Sequence, residues 1–203
     1  MIAVVDYGVG NLRSVQRGLE RAGAEAVITG DPMTVMMADG VVLPGVGAFG
    51  EGMAQLEARG LVLPVDQVIC AGKPFLGICL GMQLLFQESE EMGRYDGLGV
   101  FKGSVRLFPD RPGYKVPHMG WNQLKLLGPS ALLAGVPDGS FAYFVHSYYV
   151  EPASPAVTVA TTDYSLDFAS VVERGNVFGV QFHPEKSQEV GAAVLRNFVM
   201  LCL

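Results

Sequence analysis

Residues Pro74–Ile78 form an apolar run with no polar member, and the run leads straight into Gly77-Ile78-Cys79-Leu80-Gly81. A strand without inside–outside alternation is buried on both faces, the situation of a parallel sheet covered by helices on each side. The surrounding sequence agrees, because short β-branched runs alternate with helical spacing. Ile2–Asp6 is a second continuous apolar strand, ending near Gly8 and Gly10. Asn11 then stands where a helix carrying Leu12, Val15 and Leu19 needs an N-cap. Ala24–Ile28 and Val41–Leu43 read as further strands, the latter ending in Pro44-Gly45-Val46-Gly47. Met53 and Leu56 suit a helix, Leu61–Ala71 another, and about Gly81–Phe86 a third.

Beyond Gly97 the runs become shorter and more extended: Val105–Leu107, Phe141–Val150, Val157–Thr161, Ala169–Glu173 and Val177–Gln181. Pro109, Pro112, Pro117, Pro129 and Pro137 punctuate them, as expected of an antiparallel section joined to the parallel sheet. A last helix, about Gln188–Leu201, places Val194, Leu195, Phe198 and Leu201 on one face. The expectation is a single α/β domain over residues 1–203, three-layered, with a mixed sheet. Half of the residues are apolar and 17% are charged, so a chain of this length buries roughly 70% of its unfolded surface. That composition excludes disorder as the main state.

Other classes are excluded in turn. The formal charge is −6 without a Lys/Arg cluster, which argues against nucleic-acid binding. Mean hydropathy is +0.33, yet the longest apolar stretch, Phe75–Phe86, is interrupted by Gly77, Gly81 and Gln83, whereas a membrane span needs about 20 apolar residues. Met-Ile-Ala-Val-Val-Asp lacks a basic leader segment and reads as a first strand rather than a signal peptide. Three cysteines do not make a disulfide framework, so a cytoplasmic, reduced protein is expected. His118, His146 and His183 lie far apart without ligand spacing, and neither metal nor cofactor is expected.

In open α/β sheets the active crevice lies at the carboxyl ends of the parallel strands, here the turns Tyr7–Asn11, Pro44–Phe49 and Ile78–Gly81. Gly77-Ile78-Cys79-Leu80-Gly81 is the cysteine counterpart of the G-x-S-x-G nucleophile elbow. A sharp strand-to-helix turn tolerates no side chain at either flank, and it holds the thiol at a helix N-terminus, which favours thiolate. The alternative for Cys79 is a buried cysteine packing as a small hydrophobe, the natural reading of Cys70 and Cys202. Val177–Gln181 runs into Phe182-His183-Pro184-Glu185. In an extended segment His183 and Glu185 share a face, so the carboxylate can orient the imidazole. Cys79, His183 and Glu185 together make an activated-thiol triad. Gly45-Val46-Gly47-Ala48-Phe49-Gly50 matches G-x-G-x-x-G, but the acidic residue of a dinucleotide site is missing around Cys70–Phe75. An oxyanion hole of backbone N–H groups is the better role for that turn.

Gly-Ile-Cys-Leu-Gly-Met-Gln (77–83), Pro-Gly-Val-Gly (44–47) and Gln-Phe-His-Pro-Glu (181–185) resemble the class I, or triad, glutamine amidotransferases. Asp-Tyr-Gly-Val-Gly-Asn (6–11), Pro-His-Met-Gly-Trp-Asn (117–122), Tyr-Phe-Val-His-Ser-Tyr (143–148) and Lys186-Ser187 resemble, within them, the glutaminase subunits of imidazole glycerol phosphate synthases. Trp121 in Met-Gly-Trp-Asn and the Tyr-Gly-x-Gly-Asn start argue against the branches that serve anthranilate, aminodeoxychorismate, formylglycinamidine or guanylate synthesis. Ser165 departs from the glycine that family members often carry there.

The resemblance implies a three-layer α/β/α, flavodoxin-like fold with a mixed, mostly parallel central sheet. It implies Cys79 as nucleophile toward L-glutamine, His183 as acid and base, and Glu185 as its orienter. It implies an oxyanion hole at Leu80 and the Gly45–Gly47 turn, with Val46 and Gly47 donating after a peptide reorientation near Val46. Gly45, Gln83, Glu91, His146, Ser147 and Tyr148 would hold the glutamine. The partner implied is a (β/α)8-barrel cyclase that receives the ammonia, met by Asn11, Trp121, Tyr143 and Lys186. That cyclase makes imidazole glycerol phosphate and an aminoimidazole carboxamide ribonucleotide, in histidine biosynthesis.

Overall fold

The computed structural model describes residues 1–203. In chain order the strands are β1 Ile2–Val5, β2 Ala26–Thr29, β3 Gly40–Gly45, β4 Phe75–Cys79, β5 Phe86–Ser89, β6 Tyr95–Asp96, β7 Phe101–Leu107, β8 His118–Gln123, β9 Lys125–Leu126, β10 Phe141–His146, β11 Tyr148–Pro152, β12 Thr158–Tyr164, β13 Leu166–Arg174 and β14 Val177–Val180. The helices are α1 Leu12–Arg21, α2 Pro32–Met37, α3 Phe49–Ala58, α4 Val62–Cys70, α5 Leu80–Leu84 and α6 Gln188–Leu201.

The main sheet has eight strands in the order β2-β1-β3-β4-β14-β13-β12-β9. From β2 to β14 neighbouring strands are parallel, and from β14 to β9 they are antiparallel. The apolar run of β4 therefore lies mid-sheet, and every residue of it is buried. The same holds for β1, whose side chains alternate between two cores. Ile2 and Val4 join a cluster of 26 buried residues under α1 and α6, while Ala3 and Val5 join one of 25 under α2, α3 and α4. Two cores of nearly equal size on opposite faces make the three-layer arrangement.

The largest departure from the sequence pattern is at Phe141–Val150, which reads as one strand and is two. β10 pairs with β8 in a separate ribbon, and β11 pairs with β7 in a four-stranded sheet of order β11-β7-β5-β6. The chain breaks at Ser147, whose carbonyl accepts from Phe108 N–H. The helix expected over Gly81–Phe86 is shorter, Leu80–Leu84, because Phe86 opens β5 and stacks on Phe101 of β7. Asn11 occupies the N-cap position of α1 but its side chain makes no capping bond. Helix α2, not read from the sequence, begins at Pro32 and is capped by Asp31 accepting from Thr34 N–H at 2.8 Å. Ser165, at the tip between β12 and β13, has φ +59°, which explains why glycine suits that position.

Candidate active site

Strand β4 ends on Cys79 and α5 starts at the next residue. Cys79 has φ +54° and ψ −110°, a strained backbone for any residue with a side chain. The flanking glycines are sterically obligatory. A Cβ on Gly77 would stand 2.6 Å from the Gly81 carbonyl oxygen, and one on Gly81 would stand 1.7 Å from the Leu43 carbonyl oxygen. Gly81→Ala must therefore push β3 away from the elbow. We expect a loss of about 3 kcal/mol, lowering the melting temperature by roughly 6–12 °C. An unchanged melting temperature in thermal denaturation would show that the elbow relaxes freely.

Gly45 pairs in register with Cys79 across β3 and β4, so the Pro44–Gly47 turn abuts the elbow. Gly45 itself is buried beneath the site, where an added Cβ would meet the Tyr7 hydroxyl at 2.2 Å. Gly47 has φ +103°, and Val46 is exposed at the rim.

His183 follows β14, and its N–H donates to the Tyr143 carbonyl of β10 at 3.0 Å. Its Nδ1 lies 2.9 Å from Glu185 Oε1, with both side chains buried. The pairing is not made by an extended segment as the sequence suggested. Residues Pro184–Lys186 form a 3-10 turn, which Pro184 opens with its fixed φ, and the turn swings Glu185 back under the imidazole. The carboxylate holds the Nδ1 proton and leaves Nε2 for the thiol. Nε2 has no hydrogen-bond partner in the free chain. Burial pulls the His183 pKa down, but Cys79 and Glu185 outweigh it and raise it to about 9. Catalytic hydrogen bonds of this kind commonly tighten only when substrate is bound.

Above the sulfur lies a cavity of about 380 Å³. Of the residues singled out in the sequence, it gathers Val46, Gly47, Cys79, Leu80, Gln83, Glu91, His146, Ser147 and Tyr148. Pro117 and Val145 complete the wall. A somewhat larger groove along α4, lined by Val62, Leu63, Val65, Ile69, Leu98 and Val100 among others, carries no nucleophile. Glu91 is partly committed, because one of its oxygens accepts from the Phe49 N–H that opens α3, at 2.7 Å. The Gln83 amide nitrogen donates to the Tyr148 carbonyl at 3.0 Å and to Gln181 Oε1 at 3.1 Å.

His146 does more than line the cavity. Its Nδ1 is 2.8 Å from the Tyr148 carbonyl, and its Nε2 is 3.0 Å from His118 Nδ1. His118 Nε2 in turn lies 3.3 Å from the Asn122 amide nitrogen. A carbonyl only accepts, so the proton of His146 sits on Nδ1. His146 Nε2 is then an acceptor, and His118 carries its own proton on Nδ1. Both rings are neutral. Burial lowers the His118 pKa to about 4 and the His146 pKa to about 3.

Trp121, Tyr143 and Lys186 meet on one surface. The Trp121 and Tyr143 rings are 5.9 Å apart edge to face, and Lys186 Nζ lies 5.8 Å from the Tyr143 ring centroid. Trp121 and neighbouring Phe141 are about half exposed. Asn11 stands at the start of α1, which packs against the Pro184–Lys186 turn. Tyr143 joins this surface to the triad: its N–H donates to Ser187 Oγ, which donates to the His183 carbonyl. Sequence reasoning left out Gln181, Tyr7 and His118. Only Gln181 carried a signal, lying two residues before His183 and so on the same side of the chain. No group of three His, Cys, Asp or Glu side chains is arranged to hold a metal ion.

A family model of class-I glutamine amidotransferases matches residues 3–202. This chain belongs to the class-I glutamine amidotransferases. Among its glutamine amidotransferase relatives, the imidazole glycerol phosphate synthase subunit HisH of Moorella thermoacetica is 53% identical over 97% of this chain and 93% of that protein. HisH of Geobacter metallireducens is 52% identical over 98% and 97%. The chain is thus a glutamine amidotransferase of the HisH family. More distant solved structures share the amidotransferase fold. One described as glutamine amidotransferase superposes with TM-score 0.77 at 19% identity, covering 100% of this chain and 99% of its own. PurLQS from Thermotoga maritima does so with TM-score 0.74 at 19% identity, covering 98% and 97%.

Proposed function

We propose that the residues gathered at the elbow are the machinery by which this HisH-family glutaminase releases ammonia from L-glutamine. The observation that carries this assignment is the strained Cys79 in the wall of the cavity, together with the buried His183–Glu185 pair whose Nε2 is left free. Cys79 gives its proton to His183 Nε2, and its Sγ then attacks the carboxamide carbon. The developing oxyanion is received by the N–H of Leu80 and by an N–H of the Val46–Gly47 turn. His183 returns the proton to the departing nitrogen, the C–N bond breaks, and ammonia leaves a glutamyl thioester. Water, deprotonated by His183, then releases glutamate and restores the thiol. Glu185 stabilises the imidazolium throughout, in keeping with the raised His183 pKa.

Both N–H groups of the Gln83 amide are engaged, so its oxygen is the atom left to accept from the substrate ammonium. The free oxygen of Glu91 can do the same, while His146, Ser147 and Tyr148 shape the main-chain wall and Gly45 packs beneath it. Ammonia is a nucleophile only while unprotonated, so it needs a closed path to its acceptor. We assign the face of Asn11, Trp121, Tyr143 and Lys186 to docking a (β/α)8-barrel cyclase in the cytoplasm. An exposed Trp flanked by aromatics and a cation has the composition of an interface core. The single domain 1–203 would then be half of a heterodimer. No helix is long and apolar enough to cross a membrane.

The test is glutamate release from L-glutamine by the purified chain, alone and with the cyclase and its nucleotide substrate. Low release alone and a rise of tenfold or more in the complex supports the partner and places the switch at Pro44–Gly47. Equal release in both leaves the hydrolysis standing and removes the partner assignment.

A further inference from the structure

We propose that Gln181 is a further catalytic residue of this glutaminase, donating an amide N–H to the Cys79 sulfur. Gln181 has no solvent exposure, and its Nε2 lies 3.7 Å from Cys79 Sγ across a separation of 102 residues. An amide presents either its nitrogen or its oxygen to a neighbour, and only the nitrogen favours a thiolate. The surrounding network decides which. The Tyr148 carbonyl can only accept, and it fixes Gln83 with its nitrogen inward. The second N–H of Gln83 then points at Gln181 and requires its oxygen there, 3.1 Å away. The Gln181 nitrogen is left facing the sulfur. The main-chain N–H of Gln181, bonded to the Ser170 carbonyl at 2.9 Å, holds the stem of the residue on β13.

The consequence is a division of labour around the sulfur. His183 takes the thiol proton, and Gln181 stabilises the charge that stays behind. Gln181 makes the side-chain hydrogen bond that the sulfur receives in this structure, whereas the Tyr7 hydroxyl near the elbow makes none. A hydrogen bond to a charged atom in a closed site corresponds to a ten- to hundredfold effect on the population of that atom's charged form.

The inference rests on the nucleophile assignment made above, and the test separates the two. Gln181→Met keeps the volume and removes the donor. The full-length chain is alkylated with iodoacetamide at fixed pH, and the rate at Cys79 is followed by peptide mass spectrometry, apart from Cys70 and Cys202. Glutamate release by the complex with the cyclase is measured in parallel. The expected result is a ten- to hundredfold fall in both the Cys79 alkylation rate and kcat, with KM for glutamine within about threefold of the parent. Iodoacetamide makes no use of the glutamine subsite. If Gln181 only anchors Gln83, KM rises and alkylation is unchanged, and the proposal is overturned. If the methionine variant does not fold, Gln181→Glu takes its place at pH 9. It keeps the acceptor for Gln83 but sets a carboxylate against the sulfur, so the same fall is expected and parent-like alkylation overturns the proposal. A parent chain that alkylates at Cys79 yet releases no glutamate even in the complex with the cyclase would instead refute the glutaminase assignment of the site.

Discussion

Cys79→Ala is expected to abolish glutamine-dependent synthesis by the complex with the cyclase and to leave ammonia-dependent synthesis within about twofold of the parent. The reason is that the sulfur is the only group the covalent route cannot replace. Removing a triad nucleophile costs on the order of 10⁶ in turnover, because acid, base and nucleophile act as one unit. The fold should tolerate the change. Cys79 contributes a small side chain to a well-filled core, and alanine meets the same backbone demand with no greater bulk. The strain at φ +54° is present in both proteins. The measurement is product formation with glutamine and then with an ammonium salt at alkaline pH, where free ammonia is abundant. Loss of both activities with an unchanged melting temperature would count against ammonia passing between two separate sites. Retention of glutamine-dependent activity would remove Cys79 from the mechanism.

The second large effect is on stability in acid. His118 and His146 are buried, neutral and hydrogen-bonded to each other, with folded-state pKa values of about 4 and about 3 against 6.5 in a free side chain. Burial is the main cause in both. Between pH 6.5 and about 4 the unfolded chain binds protons that the folded chain refuses. Stability supported by this pair is therefore complete above pH 6.5 and is lost as pH falls, at about 1.4 kcal/mol per pH unit for each ring. His183 has the opposite sign. Its raised pKa of about 9 gives a contribution complete below pH 6.5 and lost toward pH 9, so it adds nothing to the acid limb. Asp31 and Asp39, whose pKa values are lowered by the Thr34 hydrogen bond and by the N-terminal ammonium, act below the window. Against a total of about 5–15 kcal/mol for a domain, two rings remove a large share by pH 4.5. Urea unfolding from pH 4.5 to 7.5 reads the slope. The paired variant His118→Gln/His146→Gln should flatten it, and an equal slope in parent and variant would show that other groups set the acid limit.

Much of the site was legible because its logic is local. The elbow declares itself through glycines that a tight turn requires, and the structure shows the two contacts that require them, at the Gly81 and Leu43 carbonyls. His183 and Glu185 are two residues apart, so their partnership needs only a short turn. It was the type of turn that misled, since Pro184 suits the first position of a 3-10 turn as well as an extended link. Glu91 shows the opposite case. Its helix-capping bond to Phe49 spans 42 residues, and nothing in its neighbourhood signals it.

The sequence alone determined the layered architecture, the buried parallel strands and the position of the cysteine elbow, because burial on both faces and a sharp turn restrict residue type directly. Only the tertiary structure decided which groups meet around that cysteine. Phe141–Val150 satisfies strand propensity throughout, and it takes two different partner strands, β8 and β7, to break it at Ser147 and carry His146 to the cavity wall. The tautomers of His118 and His146 and the amide orientations of Gln83 and Gln181 all trace back to the Tyr148 carbonyl, an acceptor that cannot donate. Such assignments depend on groups brought within 4 Å from distant parts of the chain, and a hydrogen bond leaves no period or composition in the sequence by which to find its other end.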